Sequence, residues 1–299
     1  MLDVVIIGSG PAGITAAIYA KRANLNVAVV EKEYLGTGQI AESSRVDNYP
    51  GILGIDGYSL GEKFREHAES LGVEFTEAQV LSLGQKDGIW IIGCDEDITL
   101  ESKAVIYATG CKNRPLGVPG EEKYYGRGLS FCAVCDGAFY KGKRVAVIGG
   151  GDTALDDAMY LSDICEKVYL VHRREFFRGS ASTLEKLKQK ENVEIIVNVR
   201  VEEITGDKKI DGIILDNKTK LNISGLFAAV GMIPQTELLK EFGVLDESNY
   251  VKASEDTKTT VNGLFAAGDV RTKQLRQVVT AAADGANAIY SVMEYLRNI

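Results

Sequence analysis

The sequence predicts an α/β chain of two similar domains, one inserted into the other, and three observations carry the prediction. First, the N-terminus runs from an apolar strand (Val4–Ile7) through a glycine-rich turn into a helical pattern (Ile14–Ala23) and a second strand (Val27–Val30). Second, VVIIGSGPAGITAAIYAKRANLNVAVVEK is repeated by VAVIGGGDTALDDAMYLSDICEKVYLVHR at an offset of 141 residues. The same offset carries Gly8 onto Gly149, Ala17 onto Ala158, Tyr19 onto Tyr160 and Val27 onto Val168. A duplication this long is a repeated βαβ unit rather than a solenoid period. Third, 299 residues at ~150 per domain suggest two domains, and an apolar share of 45% can fill two cores.

The remaining elements fall in order. A Gly-rich loop (Gly36–Gln39), an amphipathic helix around Leu60–Leu71 and strands near Trp90 and Ala104–Ala108 follow the first repeat. The segment Asn113–Gly120 holds two of the five prolines and reads as an interdomain linker. Beyond the second repeat come strand-like stretches at Val193–Val197 and Gly212–Leu215, then SGLFAAVG (224–231). The polar stretch Glu241–Tyr250 is the expected return crossing, and the chain closes with a short strand in GLFAAGDV (263–270) and a helix over Gln277–Leu296. The expected domains are therefore 1–114 with 246–299, and 115–245.

Composition excludes several classes. A charged share of 25% and the lack of low-complexity tracts argue against disorder, and a net charge of −8 gives no bulk attraction for nucleic acid or anionic lipid. No apolar run approaches the ~18–20 residues of a spanning helix. MLDVVIIGSG enters a strand with no basic region or cleavage site, so a cytoplasmic location is expected. Five cysteines do not make a disulfide scaffold.

Gly8, Gly10 and Gly13 form G-x-G-x-x-G between strand and helix, the pattern that brings backbone N–H groups and a helix N-terminus to a pyrophosphate. Glu31 ends the second strand, where a carboxylate bonds a free ribose diol and repels a 2′-phosphate. The second turn has Gly149, Gly151 and Ala154. Its position equivalent to Glu31 is His172, followed by Arg173, Arg174 and Arg178. Arginines pair with phosphate oxygens in a fork, so this replacement suits a 2′-phosphate, although a solvated basic face would look the same. Two dinucleotides are implied: FAD at the first turn and NADPH at the second.

Cys132 and Cys135, in FCAVCDG, lie just before the second turn. The spacing fits a reducible dithiol in which one thiolate attacks and the other resolves. A zinc half-site and a pair of inert buried thiols use the same spacing, but Cys94, Cys111, Cys165, His67 and His172 supply no further ligand pattern, so no metal is expected. Asp136 could carry the proton that thiol exchange needs, or cap a helix.

Taken together, GSGPAG (8–13), GTGQ (36–39), VDNYPG (46–51), ATG (108–110), CAVCDG (132–137), GGGDTA (149–154), HRREFFR (172–178), AAGDV (266–270) and RQV (276–278) resemble, in order and spacing, the low-molecular-weight thioredoxin reductases, over nearly the whole chain. The resemblance implies two Rossmann-like domains of the three-layer ββα type, with the NADPH domain inserted into the FAD domain and carrying the dithiol. It implies Gln39, Asn48 and Gly110 at the flavin, Asp269 on the ribityl chain or pyrophosphate, and Arg276, Gln277 and Val278 beside the ring. Asp152 and Thr153 of the second turn join the NADPH set. The family pattern also makes Cys135 the thiol facing the flavin, Cys132 the one that attacks the protein substrate, and Asp136 the general acid. It further implies a homodimer, a thioredoxin-like partner, and hinges at the two linkers that let nicotinamide and dithiol visit one flavin in turn.

Small departures are Cys111 after the ATG turn, a third thiol whose reactivity is open, and Asp156–Asp157 where glutamates are common. The resemblance is to the short forms of the family, so neither a cysteine-bearing tail after LRNI nor an additional module before the first strand is expected. A same-fold flavoprotein with another donor or acceptor, such as a ferredoxin-linked reductase or a thiol oxidase, is the alternative. A flavin-binding sensor without turnover is a third reading.

Overall fold

The computed structural model describes residues 1–33, 37–43 and 45–299. Gly36, expected in the GTGQ loop, lies outside them. In chain order the elements are β1 (Leu2–Ile7), α1 (Pro11–Arg22), β2 (Val27–Glu31), α2 (Gly57–Ser70), β3 (Glu74–Glu77), β4 (Val80–Lys86), β5 (Ile89–Cys94), β6 (Thr99–Tyr107) and β7 (Cys111–Asn113). There follow β8 (Leu129–Ser130), α3 (Ala133–Asp136), β9 (Arg144–Ile148), α4 (Asp152–Ser162), β10 (Lys167–His172), α5 (Ala181–Lys188) and β11 (Val193–Val197). The last are β12 (Val201–Thr205), β13 (Gly212–Leu215), β14 (Lys220–Asn222), β15 (Gly225–Ala228), β16 (Met232–Pro234), β17 (Leu264–Ala266) and α6 (Val278–Leu296).

Two compact units result, residues Met1–Lys112 with Ile233–Ile299, and Asn113–Met232. In the first, the sheet order is β3-β2-β1-β6-β5-β4, with β17 also on β6. The pairs β1–β2, β1–β6, β2–β3 and β6–β17 are parallel, whereas β4–β5 and β5–β6 are antiparallel. Val4–Ile7 of β1 and Val27–Val30 of β2 read as unbroken apolar runs because both faces are covered, the expected composition of a parallel sheet under helices. Helices α1 and α6 pack on one face, and Gly285 of α6 lies so close to α1 that a methyl group there would meet Ala12 O and come within 2.8 Å of Ala16 N.

The second unit repeats the plan with a parallel sheet β11-β10-β9-β15-β8 and a separate antiparallel sheet β12-β13-β14. Helix α4 buries Ala154, Leu155, Ala158 and Leu161 against Val145, Val147 and Val168. Here the duplication read from sequence has a direct physical counterpart. Gly8 takes φ +104°, and a Cβ on Gly13 would run into its carbonyl oxygen. At the second turn Ala154 keeps its Cβ, which packs instead over the bare Cα of Gly149.

One boundary differs from the expectation. The polar run 241–250 suggested the return crossing, yet the units divide at Met232/Ile233. Leu239, Val244 and Val251 are essentially fully buried in the same cluster as Trp90 and Leu264. The polar residues between them are the solvent side of a segment that belongs to the first unit.

Candidate functional site

In the first unit the glycine turn is ready for an anion. Gly10 is the extended N-cap of α1, Pro11 removes one unpaired donor, and Ile14 N–H takes Gly10 O at 3.0 Å. Glu31 lies directly behind the turn: Oε2 accepts from Ser9 N–H and Ser9 Oγ, both at 3.0 Å, and Oε1 from Lys32 N–H at 2.9 Å. Glu33 N–H also donates to Oε1, at 3.4 Å, so the carboxylate's about four acceptor positions are met within the chain, and a ribose diol would replace the longest of these bonds.

The residues placed at the flavin by resemblance come together from distant parts of the sequence. Asn48 Nδ2 donates to Gln277 Oε1 at 2.9 Å, and Gln277 forms a capping box with Thr280 at the start of α6. Val278 packs on the cluster of Ile40, Val46 and Leu60, and Gln39 stands half-buried in the 3-10 turn Gly38–Glu42. Gly110 takes φ +66°. The Arg276 guanidinium lies over the Tyr250 ring at 4.2 Å and donates from Nε to Asp269 O at 3.2 Å.

Asp269 is the most informative group here. Its Oδ1 is buried without a hydrogen-bond partner among the described residues. Burial raises its carboxyl above the ordinary range, with Lys273 and Arg276 pulling in the opposite direction. An orphaned buried acceptor calls for a donor from a ligand. A ribityl hydroxyl can donate and a pyrophosphate cannot, so the ribityl chain is the group these residues fit. Cys111 is held on the same peptide: Sγ donates to Asp269 O at 3.0 Å, and burial followed by the nearby Asp269 pushes the thiol up to about 12. That environment disfavours a thiolate, so Cys111 is a structural donor rather than a third reactive thiol.

In the second unit the glycine turn and the arginine segment are joined. Gly150 O accepts from Arg178 N–H at 2.7 Å and Gly179 N–H at 3.2 Å, and Asp152 Oδ1 accepts from Ser180 N–H at 2.7 Å. The Asp152 carboxylate, expected among the nucleotide ligands, thus ties the turn to residues 178–180, while Thr153 is exposed beside it. Gly151 is the extended N-cap of α4. Arg173, Arg174 and Arg178 are exposed and form no ion pair among the described residues. His172 differs from them. It is buried, its ring packs against Gly150 and lies 4.8 Å from that of Phe177, and its Nε2 has no hydrogen-bond partner among the described residues. Burial lowers its pKa, with the three arginines acting in the same direction, so a neutral imidazole supports the turn from beneath.

Cys132 and Cys135 are joined as a disulfide with Cα atoms 5.3 Å apart. The single turn of α3 brings them together. Cys132 is its N-cap, with Sγ accepting from Cys135 N–H at 3.2 Å, and Cys132 N–H is held by Ser130 Oγ at 3.1 Å. A backbone donor on Cys132 Sγ favours its thiolate after reduction. Asp136 makes no side-chain cap to the following 3-10 turn, so the capping alternative is not what the structure shows. Burial raises its carboxyl, and a hydrogen bond with Ser130 counters this in part. Val134 and Phe139 are exposed near the disulfide. No group of three or more potential metal ligands occurs among the described residues, and no helix among them is long and apolar enough to cross a membrane.

A family model described as pyridine nucleotide-disulphide oxidoreductase matches residues 2–285. The chain belongs to this family. The thioredoxin reductase of Bacillus subtilis is 38% identical over 305 residues, covering 99% of this chain and 95% of that one. The thioredoxin reductase of Helicobacter pylori is 40% identical over 310 residues, covering all of both. The crystal structure of thioredoxin reductase from Streptococcus pyogenes superposes with a TM-score of 0.93 at 40% identity, covering 100% of this chain and 99% of that one. Within the family, the chain groups with the low-molecular-weight thioredoxin reductases.

Proposed function

We propose that this chain is an NADPH-dependent, FAD-containing reductase of a thioredoxin or a thioredoxin-like protein. The observation that carries the reading is the Cys132–Cys135 disulfide, built into the same unit as the arginine-flanked glycine turn. The kinship with thioredoxin reductases supports it. The Glu31-backed turn and the orphaned Asp269 carboxylate support FAD in the unit of Met1–Lys112 with Ile233–Ile299. Arg173, Arg174 and Arg178 support NADPH in the unit Asn113–Met232. FAD, when bound, supplies a two-electron relay from a nicotinamide hydride to a disulfide.

The chain's own residues then account for the exchange. Two electrons and two protons convert Cys132–Cys135 to a dithiol. The Cys132 thiolate bonds to one sulfur of the partner's disulfide as that disulfide breaks, and the leaving thiolate takes a proton. Asp136, whose carboxyl burial raises above its ordinary value, is suited to hold that proton. The Cys135 thiolate next bonds to Cys132 Sγ, restoring the intramolecular disulfide and releasing the reduced partner. The exposed Val134 and Phe139 would offer the partner an apolar contact. A homodimer, as in the resemblance, belongs to this same proposal.

Anaerobic titration of the FAD-loaded protein with NADPH and, separately, NADH tests donor choice and the number of reducible centres. In Cys135→Ser, NADPH should still reduce the flavin while thioredoxin reduction is abolished. Turnover of thioredoxin by that variant would overturn the assignment, and oxygen uptake matching NADPH consumption in wild type would favour a thiol oxidase.

A further inference from the structure

Beneath the Gly268–Asp269 peptide lies a buried charge cluster that none of the steps above uses. Asp284, in α6, is 2% exposed, and its carboxylate receives four hydrogen bonds. Arg271 grips it in a fork, Nε to Oδ2 at 2.8 Å and Nη2 to Oδ1 at 2.7 Å, while Lys273 Nζ and Gly268 N–H both donate to Oδ2 at 2.9 Å. Arg271 is itself 2% exposed, with its other donors on Ala253 O, Thr272 O and Glu255. On the far side of the same segment, Arg276 Nε and Cys111 Sγ hold Asp269 O. The backbone of residues 268–269 is thereby fixed at its N–H and at its carbonyl. The Asp269 carboxylate is left as the buried group with an open acceptor.

We infer that Asp284, through Arg271 and Lys273, is the positioning residue that presents Asp269 to the ribityl chain of FAD. The inference rests on the FAD assignment made above. Two physical points support it. A buried ion pair is costly to assemble and adds little net stability over a well-packed apolar substitute, so stability alone is a weak reason for one here. An orientation role needs such a device, because an acceptor misplaced by a fraction of an ångström loses a directional bond. Charge adds no further support: Arg271 faces both Asp284 and Glu255 and Lys273 faces Asp284, so two cations meet two carboxylates. At Asp269, Lys273 and Arg276 favour the ionised, accepting form while burial and Asp284 oppose it, so the role of the cluster is the geometric one of fixing the 268–269 backbone.

The test compares wild type, Asp284→Asn, Lys273→Met and Lys273→Arg after removal of FAD. Rebinding is followed by flavin fluorescence, melting temperature is measured with and without FAD, and 2′,5′-ADP binding reports the other unit. Asp284→Asn and Lys273→Met should each weaken FAD ~10-fold or more, the loss expected for a charge-assisted bond. Their FAD-induced gain in melting temperature should shrink. Lys273→Arg should stay within ~2-fold of wild type, and 2′,5′-ADP binding should not change. FAD affinity within ~2-fold of wild type in the folded variants, with equal losses of melting temperature in both forms, would show a merely structural ion pair and overturn the inference. If Asp284→Asn does not fold, Lys273→Met decides. Wild type that takes up no FAD would refute the cofactor assignment itself, and with it this inference, before any variant is compared.

Discussion

Asp157 gives the prediction that can be carried furthest in numbers. It sits in α4, just after the second glycine turn, 9% exposed and with no hydrogen-bond partner among the described residues. Burial, with Asp156 adding repulsion, pushes its carboxyl from 3.8 up to about 7. In the unfolded chain the group titrates near its ordinary value, so the folded state binds the proton more tightly. Stability from this group is therefore full below about pH 3.8 and is lost as pH rises through about 7. At 1.36 kcal/mol per pKa unit, ionising Asp157 in the folded protein costs at most about 4 kcal/mol at pH 8 and about 0.5 kcal/mol at pH 4. Asp157→Asn removes the charge at nearly constant shape and should stabilise the second unit by about 2–4 kcal/mol at pH 8, with little change at pH 4. Urea titrations at the two pH values check this, with amide exchange of β9 and β10 reporting this unit. A variant equally stabilised at both pH values, or one destabilised at pH 8, would refute the reasoning. The second result would mean that the native fold holds the carboxylate in its charged form.

Two further outcomes follow from the site. Replacing Arg174 and Arg178 together by alanine should raise KM for NADPH ~10-fold or more while leaving KM for NADH nearly unchanged, since exposed charge-assisted bonds to a 2′-phosphate are the interaction removed; steady-state kinetics with both donors reads the ratio. Alkylation of the NADPH-reduced native protein at pH 8 should label Cys132 and Cys135 but spare Cys94, Cys111 and Cys165, all buried and all with thiols raised by burial. Mass spectrometry of the labelled peptides checks it, and early labelling of Cys111 would contradict its assignment as a structural donor.

Much of this site could be read before any fold was known. Gly8, Gly10 and Gly13 sit between elements whose periodicity changes from 2 to 3.6, and backbone sterics fix such a turn locally. The offset that brings Glu31 onto His172 located both strand ends, because in a βαβ repeat those ends are set by element lengths alone. Side-chain direction was not legible in the same way. His172 counts as part of a basic cluster in the sequence, yet its ring turns under Gly150 and against Phe177, contacts made across the turn. Asp152 reads as a ligand of the turn but is held by Ser180, 28 residues later. The small-residue helix start AAADGANAI gives no sign that Asp284 meets Arg271, because a lone acid on a helix usually faces water.

The sequence by itself determined the class of fold, the two glycine turns with a carboxylate at one strand end and arginines at the other, and the cysteine pair. Each of these is encoded within a few residues, by glycine sterics, by the sign of one side chain or by short spacing. Only the tertiary structure decided where the first unit resumes, which acid is left without a partner and which is fully paired. Those outcomes depend on burial and on donors from distant elements, and desolvation is a property of the assembled core rather than of any segment.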